Sequence, residues 1–299
     1  MRVNSFDRRR FLKSAVGAGA LLGLGGGAAG NAKTRYEMGL QLYTVRDPMA
    51  SAPLTTLKAI AALGYRNLET FGFEADRIRY YGMDAGSFKQ VLGELGLRST
   101  SGHYDLFKHL ESPLPELRGF VDRCVEGALA LEQKYITWPW LAPDQRTMRH
   151  FELLADRLNL IGEQVKAAGL QLAYHNHEFE FIPQRGKLGY DIVMRETDPS
   201  LVKLQLDLFW AAHSSQRSPH ELFSLQPGRF VMWHIKDMDR KNRGHYTELG
   251  NGSIDFTKIM PDAQLAGLES YFVEQGDNFA VDPMTSIATS AAYVKQHLE

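Results

Sequence analysis

One cysteine, Cys124, stands in a chain of 299 residues. It can form no intrachain disulfide, so a disulfide-stapled scaffold is excluded. Neither charge sign is in surplus: 34 Lys+Arg face 35 Asp+Glu, a formal net charge of −1. A nucleic-acid binder needs a basic excess to neutralise phosphates, and that class of partner is disfavoured. Beyond Gly30 no long apolar run occurs, so no membrane span is expected in the remainder. No Gly-x-Gly-x-x-Gly follows the first strand candidate, and a dinucleotide-binding fold would lack its phosphate loop. Linkers, low-complexity segments and internal repeats are also missing from residue 36 onward. What is present is an ordinary globular composition, 44% hydrophobic and 23% charged, long enough to bury a sizeable core.

The first stretch is set apart from the fold. Arg8-Arg9-Arg10-Phe11-Leu12-Lys13 precedes a Gly/Ala-rich run from Ser14 to Gly30. This is the layout of a secretory signal, and Arg-Arg-x-Phe-Leu-Lys resembles the twin-arginine export motif. At roughly 17 residues the run is shorter than the ~20 apolar residues a spanning helix needs. Residues 1–32 are therefore read as a cleaved signal, cut near Ala29 to Ala32, and residues 36–299 as the folded domain. The expected location is periplasmic or otherwise exported, with no stable membrane span after cleavage. About 265 residues then remain, close to the roughly 250 of one eightfold α/β barrel.

Short apolar strand candidates alternate with amphipathic helices along that domain. The strands fall at 39–45, 65–70, 97–103, 135–140, 170–177, 202–209, 230–236 and 271–275. The helices fall at 54–63, 85–95, 116–132, 145–168, 190–196, 219–225, 256–260 and 283–297, with Gly64, Gly96 and Gly169 as stop signals. Eight such units predict a parallel sheet closed into a single-domain (β/α)8 TIM barrel.

Strand parity then locates a site. In Val202-Lys203-Leu204-Gln205-Leu206-Asp207-Leu208 the apolar residues face the helices, which turns Lys203, Gln205 and Asp207 inward. The same alternation turns His175 and His177 inward on strand five, His234 on strand seven and Glu274 on strand eight. Glu69 and His103 end strands two and three. All lie near strand C-termini, where barrel active sites are built. Asp207, His234, Glu274 and a strand-five histidine form a mixed nitrogen and oxygen donor set. Such a set suits a divalent ion of the Mn, Co, Zn or Mg kind rather than a thiolate-selected one. Such an ion polarises a carbonyl and acidifies the adjacent C–H, and a nearby carboxylate or imidazole moves the proton. Glu274, Lys236 and His177 are the candidates for that proton handling. Glu69, His103 and Trp210 are candidates for substrate contact, with Trp138, Trp140 and Phe209 as further rings able to stack on a sugar.

Several segments together resemble a known family. They are Gly39-Leu40-Gln41-Leu42-Tyr43-Thr44-Val45-Arg46, Leu63-Gly64-Tyr65-Arg66-Asn67-Leu68-Glu69, and Tyr174-His175-Asn176-His177-Glu178-Phe179-Glu180-Phe181. Leu206-Asp207-Leu208-Phe209-Trp210, His234-Ile235-Lys236-Asp237, Leu249-Gly250-Asn251-Gly252-Ser253-Ile254-Asp255 and Val273-Glu274-Gln275 complete the set. In order and spacing they resemble the xylose-isomerase-like TIM-barrel superfamily, the sugar phosphate isomerase/epimerase group. The resemblance implies a divalent metal held on strands five to eight, with Asp207, His234 and Glu274 as its last three ligands. On strand five the family's epimerases carry a glutamate that is ligand and base. Here the matching position is His175, and Glu274 lacks that carboxylate partner unless Glu180 reaches back.

The leading expectation is an exported, metal-dependent isomerase or epimerase acting on an unphosphorylated sugar or keto-sugar. Export and the absence of an Arg cluster argue against a sugar phosphate, although the Gly250–Gly252 turn leaves an anion site open. The His175 replacement motivates a second reading, a lyase, hydratase or hydrolase acting on a keto-glycoside or inosose. A periplasmic sugar-binding protein is the non-enzyme alternative. The expected partner is a small carbohydrate, not nucleic acid, and a homo-oligomer stays open.

Overall fold

The computed structural model describes residues 36–299; the signal segment at 1–32 and its cut lie outside the described residues. Eight parallel strands close on themselves. They are β1 (Met38–Gln41), β2 (Asn67–Thr70), β3 (Arg98–His103), β4 (Tyr135–Trp138), β5 (Gln171–His175), β6 (Val202–Asp207), β7 (Met232–Ile235) and β8 (Ser270–Val273). Closure is made by β8 against β1, with Leu40 opposite Val273. An outer layer follows the strands in turn: α1 (Pro53–Ala62), α2 (Ala85–Glu94), α3 (Leu114–Ala130), α4 (Met148–Ala167), α5 (Gly189–Glu196), α6 (Pro219–Leu225), α7 (Ala263–Ala266) and α8 (Pro283–His297). This is the TIM barrel that the alternation predicts. No helix among the described residues is long and apolar enough to cross a membrane.

The alternation within each strand divides the core in two. Leu172, Tyr174, Leu204 and Leu206 are buried with the helices in the main cluster. A second apolar cluster, Tyr135, Ala173, Val231, Met232 and Phe272, fills the barrel interior. Met232 and Phe272 precede His234 and Glu274 by two residues, so on the inward face the apolar plug lies one layer below the polar one. That plug makes the site a floor rather than a pore.

Differences from the sequence reading lie where strands end. The first strand stops at Gln41, because the Gln41 side chain accepts from the Tyr43 N–H at 3.1 Å and Leu42–Val45 coils into a 3₁₀ turn. The sixth stops at Asp207, whose carboxylate caps a short helix, Leu208–Ser214, by accepting from the Trp210 N–H at 3.0 Å. After the seventh strand, Asp237–Met238 pairs with Tyr246–Thr247 in a two-residue ladder. A three-stranded sheet of two-residue strands between β2 and α2 escaped the reading, since such short ladders carry no periodicity.

Candidate functional site

The C-terminal ends of the strands bring four donor side chains together. One ligand atom each from His175, Asp207, His234 and Glu274 lies within 4.8 Å of the others, and all four residues are buried. They come from β5, β6, β7 and the first residue after β8, so adjacent strands supply adjacent donors. His103 closes a second grouping with His175 and His234 within the same span.

Electrostatics set the protonation of the cluster residue by residue, and burial pushes the Asp207 carboxyl upward. Burial, reinforced by His234 and His177, pushes His175 well below the ordinary imidazole range, so it is neutral. Its Nδ1 is buried without a hydrogen-bond partner, and its Nε2 stands 3.8 Å from Asp207 Oδ2, beyond hydrogen-bond length. Burial pushes the Glu274 carboxyl upward, but Lys236 and His234 hold it well below the carboxylate range. The Lys236 ammonium reaches both acids, 2.8 Å from Asp207 Oδ2 and in still closer contact with Glu274 Oε2. Burial opposes the charged form of His234, yet Glu274 and Glu69 together raise it to about 10. His234 is clamped between them, Nδ1 at 3.1 Å from Glu274 and Nε2 at 2.5 Å from Glu69.

This donor set fits a divalent cation. It supplies imidazole nitrogen and carboxylate oxygen, one imidazole is neutral with an unused nitrogen, and Glu69 orients His234 from behind. Glu69, Asp207 and Glu274 are three carboxylates against two cationic groups, Lys236 and His234, so positive charge is still called for.

Glu69 is not among the residues that line the cleft. It is fully buried and accepts from Gln41 Nε2 at 2.7 Å, Ser101 Oγ at 2.6 Å and Gln205 Nε2 at 2.7 Å, besides the two histidines. Five neighbours thus take up its lone pairs, and Glu69 is placed against His103 and His234. His103 does face the cleft, and its Nε2 lies 2.8 Å from Gln205 Oε1. His177 also lines the cleft, neutral through burial and the nearby Lys236, with Nδ1 unpartnered. Trp210 packs behind it at 6.1 Å between ring centroids, and its Nε1 also lacks a partner. Of the other rings offered for stacking, Trp138 and Phe209 are core residues, whereas Trp140 reaches the cleft. Glu180 does not reach back. Its carboxyl accepts from the Tyr174 hydroxyl at 2.6 Å and from the His177 N–H at 2.9 Å, and Tyr174 belongs to the helix-facing set.

The anion site left open at Gly250–Gly252 is filled from within. Asp237 accepts from the N–H groups of Met238 at 2.8 Å, Gly250 at 3.0 Å, Gly252 at 3.1 Å and Ile254 at 2.9 Å. A Cβ at Gly252 would lie 2.2 Å from Asp237 Oδ1, so glycine is what lets the carboxylate seat. Sequence reasoning missed this, and missed Gln41, Ser101 and the cleft residues Tyr43, Phe71 and Phe107. Only Gln205 carried a signal, its inward parity.

The cleft above the cluster holds about 390 Å³. Comparisons with known proteins agree with the geometry. Residues 57–296 match the family model of the xylose isomerase-like TIM barrel. An inosose dehydratase of Geobacillus thermodenitrificans (strain NG80-2) is 26% identical over 168 residues, covering 50% of this chain and 55% of that protein. The chain thus spans about half the length of the curated relatives it matches. A sugar phosphate isomerase/epimerase from Parabacteroides distasonis ATCC 8503 superposes with a TM-score of 0.74 at 25% identity, over 88% of this chain and 95% of that one. The IOLI protein with a bound zinc atom shares the fold at a TM-score of 0.67 and 16% identity, over 87% of this chain and 99% of its own. The chain belongs to the xylose isomerase-like TIM barrel family.

Proposed function

We propose that this protein is a metal-dependent lyase acting next to a carbonyl of an unphosphorylated sugar, by proton removal followed by β-elimination. A divalent ion on His175, Asp207, His234 and Glu274 would polarise the carbonyl oxygen and acidify the neighbouring C–H. Glu274, kept ionised by Lys236, is the acceptor for the proton as the C–H bond breaks. Lys236 offers an ammonium to the enolate oxygen as charge moves onto it. The C–O bond to the departing group then breaks, and the leaving oxygen takes up the proton that Glu274 removed, while His177, a neutral imidazole at the cleft wall, is placed to hydrogen-bond that oxygen.

One observation carries this reading: among the described residues Glu274 is the one carboxylate at the cleft floor, and Glu180, the carboxylate that follows strand five, is tied to Tyr174 behind β5. Epimerisation needs proton transfer on both faces of one carbon, whereas elimination needs one base and one acid. The inosose dehydratase likeness supports the same class. The isomerase or epimerase reading is the second one, favoured by the likeness to a sugar phosphate isomerase/epimerase. The Asp237-filled turn supports a substrate without phosphate. Incubation with 3-keto-glucosides and with inosose, followed by NMR and mass spectrometry, separates the two. Loss of water or of a departing group supports the lyase, and a product of unchanged mass overturns it.

The proposal extends to location. The motif from Arg8 to Lys13 directs export, so replacing Arg8 and Arg9 together by Lys should retain the protein in the cytoplasmic fraction. Unchanged fractionation would remove the export claim.

A further inference from the structure

The cleft changes character between floor and mouth. Its floor, His175, His177 and Glu274, comes from the second half of the barrel, and its mouth comes from the first half. Tyr43, in the turn after β1, meets Phe71, after β2, edge to face at 4.8 Å. Phe107, after β3, meets Trp140, after β4, at 5.3 Å and 89°. Arginines lie over two of these rings, Arg46 over Tyr43 at 4.5 Å and Arg146 over Trp140 at 5.0 Å. Arg46 also donates to the Gly276 carbonyl at 2.8 Å, which ties the β1 turn to the loop after β8. Rings held in this way lose little freedom when a ligand packs on them.

Charge narrows the occupant. No Lys or Arg lines the cleft among the described residues, while Asp105 stands at the mouth and Glu274 at the floor. Both acids are already paired, Asp105 with Lys108 and Glu274 with Lys236, so the cleft lining offers an anionic group no cation of its own. The volume of about 390 Å³ falls in the ~300–1,000 Å³ range that takes drug-sized ligands. A neutral ring with a flat, C–H-rich or aromatic face suits a cleft lined by two aromatic pairs.

We propose that the aromatic mouth binds a second neutral ring, joined glycosidically to the sugar that reacts at the floor, so that the substrate is a glycoside rather than a free monosaccharide. The identity of the first ring rests on the function proposed above. The second ring is held by Tyr43, Phe71, Phe107 and Trp140 whether or not the chemistry follows.

The test uses glycosides that lack the keto group and therefore cannot react. Methyl glucoside, 4-nitrophenyl glucoside and a glucosyl-glucose disaccharide, in both anomers, are titrated into the full chain by calorimetry. A two-ring probe should bind at least about tenfold tighter than methyl glucoside. That gain should vanish in Trp140→Ala and in Tyr43→Ala, with methyl glucoside binding and melting temperature kept. A gain for the nitrophenyl probe alone makes the second ring an aryl group, and a gain for the disaccharide alone makes it a sugar. Equal binding of all probes, a gain that survives both truncations, or no binding up to the solubility limit overturns the proposal. Binding and turnover fail separately: metal-dependent turnover with equal probe binding strikes only the second ring, and a retained tenfold gain without elimination strikes only the chemistry.

Discussion

Glu69, Glu180 and Glu274 are all buried, yet their neighbours set opposite protonation states. Burial raises each one. At Glu69 the paired His103 and His234 outweigh it, and at Glu274 Lys236 and His234 do so, leaving both carboxyls well below their ordinary range. Glu180 has only a phenol and a peptide N–H as strong partners, and burial raises it from 4.5 to about 8. The sign of its effect follows. The native state keeps a proton that the unfolded state releases above its ordinary value. This contribution to stability is therefore complete below about pH 4.5 and is lost as pH rises through about 8. Glu180→Gln is neutral at every pH, so its stability relative to wild type should grow across about pH 5 to 8, by on the order of 3 kcal/mol. Urea melts at several pH values measure this, and parallel wild-type and variant profiles would show that Glu180 does not titrate there.

At the scale of elements, the turns after strands carry what the strands alone do not. Asp237 gathers four backbone N–H groups from the ladder and the Gly250–Ile254 turn, and so fixes the loop that follows β7. Asp237→Ala leaves those donors without their acceptor and should cost about 3 kcal/mol in a urea melt, with faster amide exchange at Gly250, Gly252 and Ile254. Asp237→Asn keeps one acceptor oxygen and should lose less; equal loss in both variants would locate the effect in charge rather than in acceptor count. The legibility of the sequence follows the same division. Period-two alternation needs only local order, so Asp207, His234 and Glu274 could be placed on the inward face from Val202–Leu208 and its counterparts. The closure of β8 on β1 followed from counting units. The burial of Glu69 could not be read, because its five partners arrive from β1, β3, β6 and β7. Nor could the mouth be read: Tyr43, Phe71 and Phe107 lie in turns without periodicity. Asp207 doubles as a helix cap, which truncated the predicted sixth strand.

For the whole molecule the barrel divides into a half that gathers the four donors and a half that supplies the aromatic rings of the cleft. Donors on β5 to β8 converge on one point, while the turns after β1 to β4 supply the aromatic wall. Lys236 decides how that convergence is to be understood. Its ammonium already spans Asp207 and Glu274, and a buried ion pair of this kind can persist as structure alone. If the cluster holds a cation, the native state gains RT ln(1 + [M]/Kd), about 2.7 kcal/mol at a concentration one hundred times Kd. For a domain of this size that corresponds to a rise of roughly 5–10 °C in melting temperature. Chelator-stripped protein titrated with Mn, Co or Zn should show this rise, and Asp207→Asn or His175→Ala should abolish most of it. His177→Ala should keep it, since His177 stands outside the four-donor group. A melting temperature indifferent to all three ions would make Lys236 the cluster's own counter-charge and remove the metal from the proposed chemistry. Loss of the rise in His177→Ala but not in His175→Ala would move the strand-five ligand two residues along.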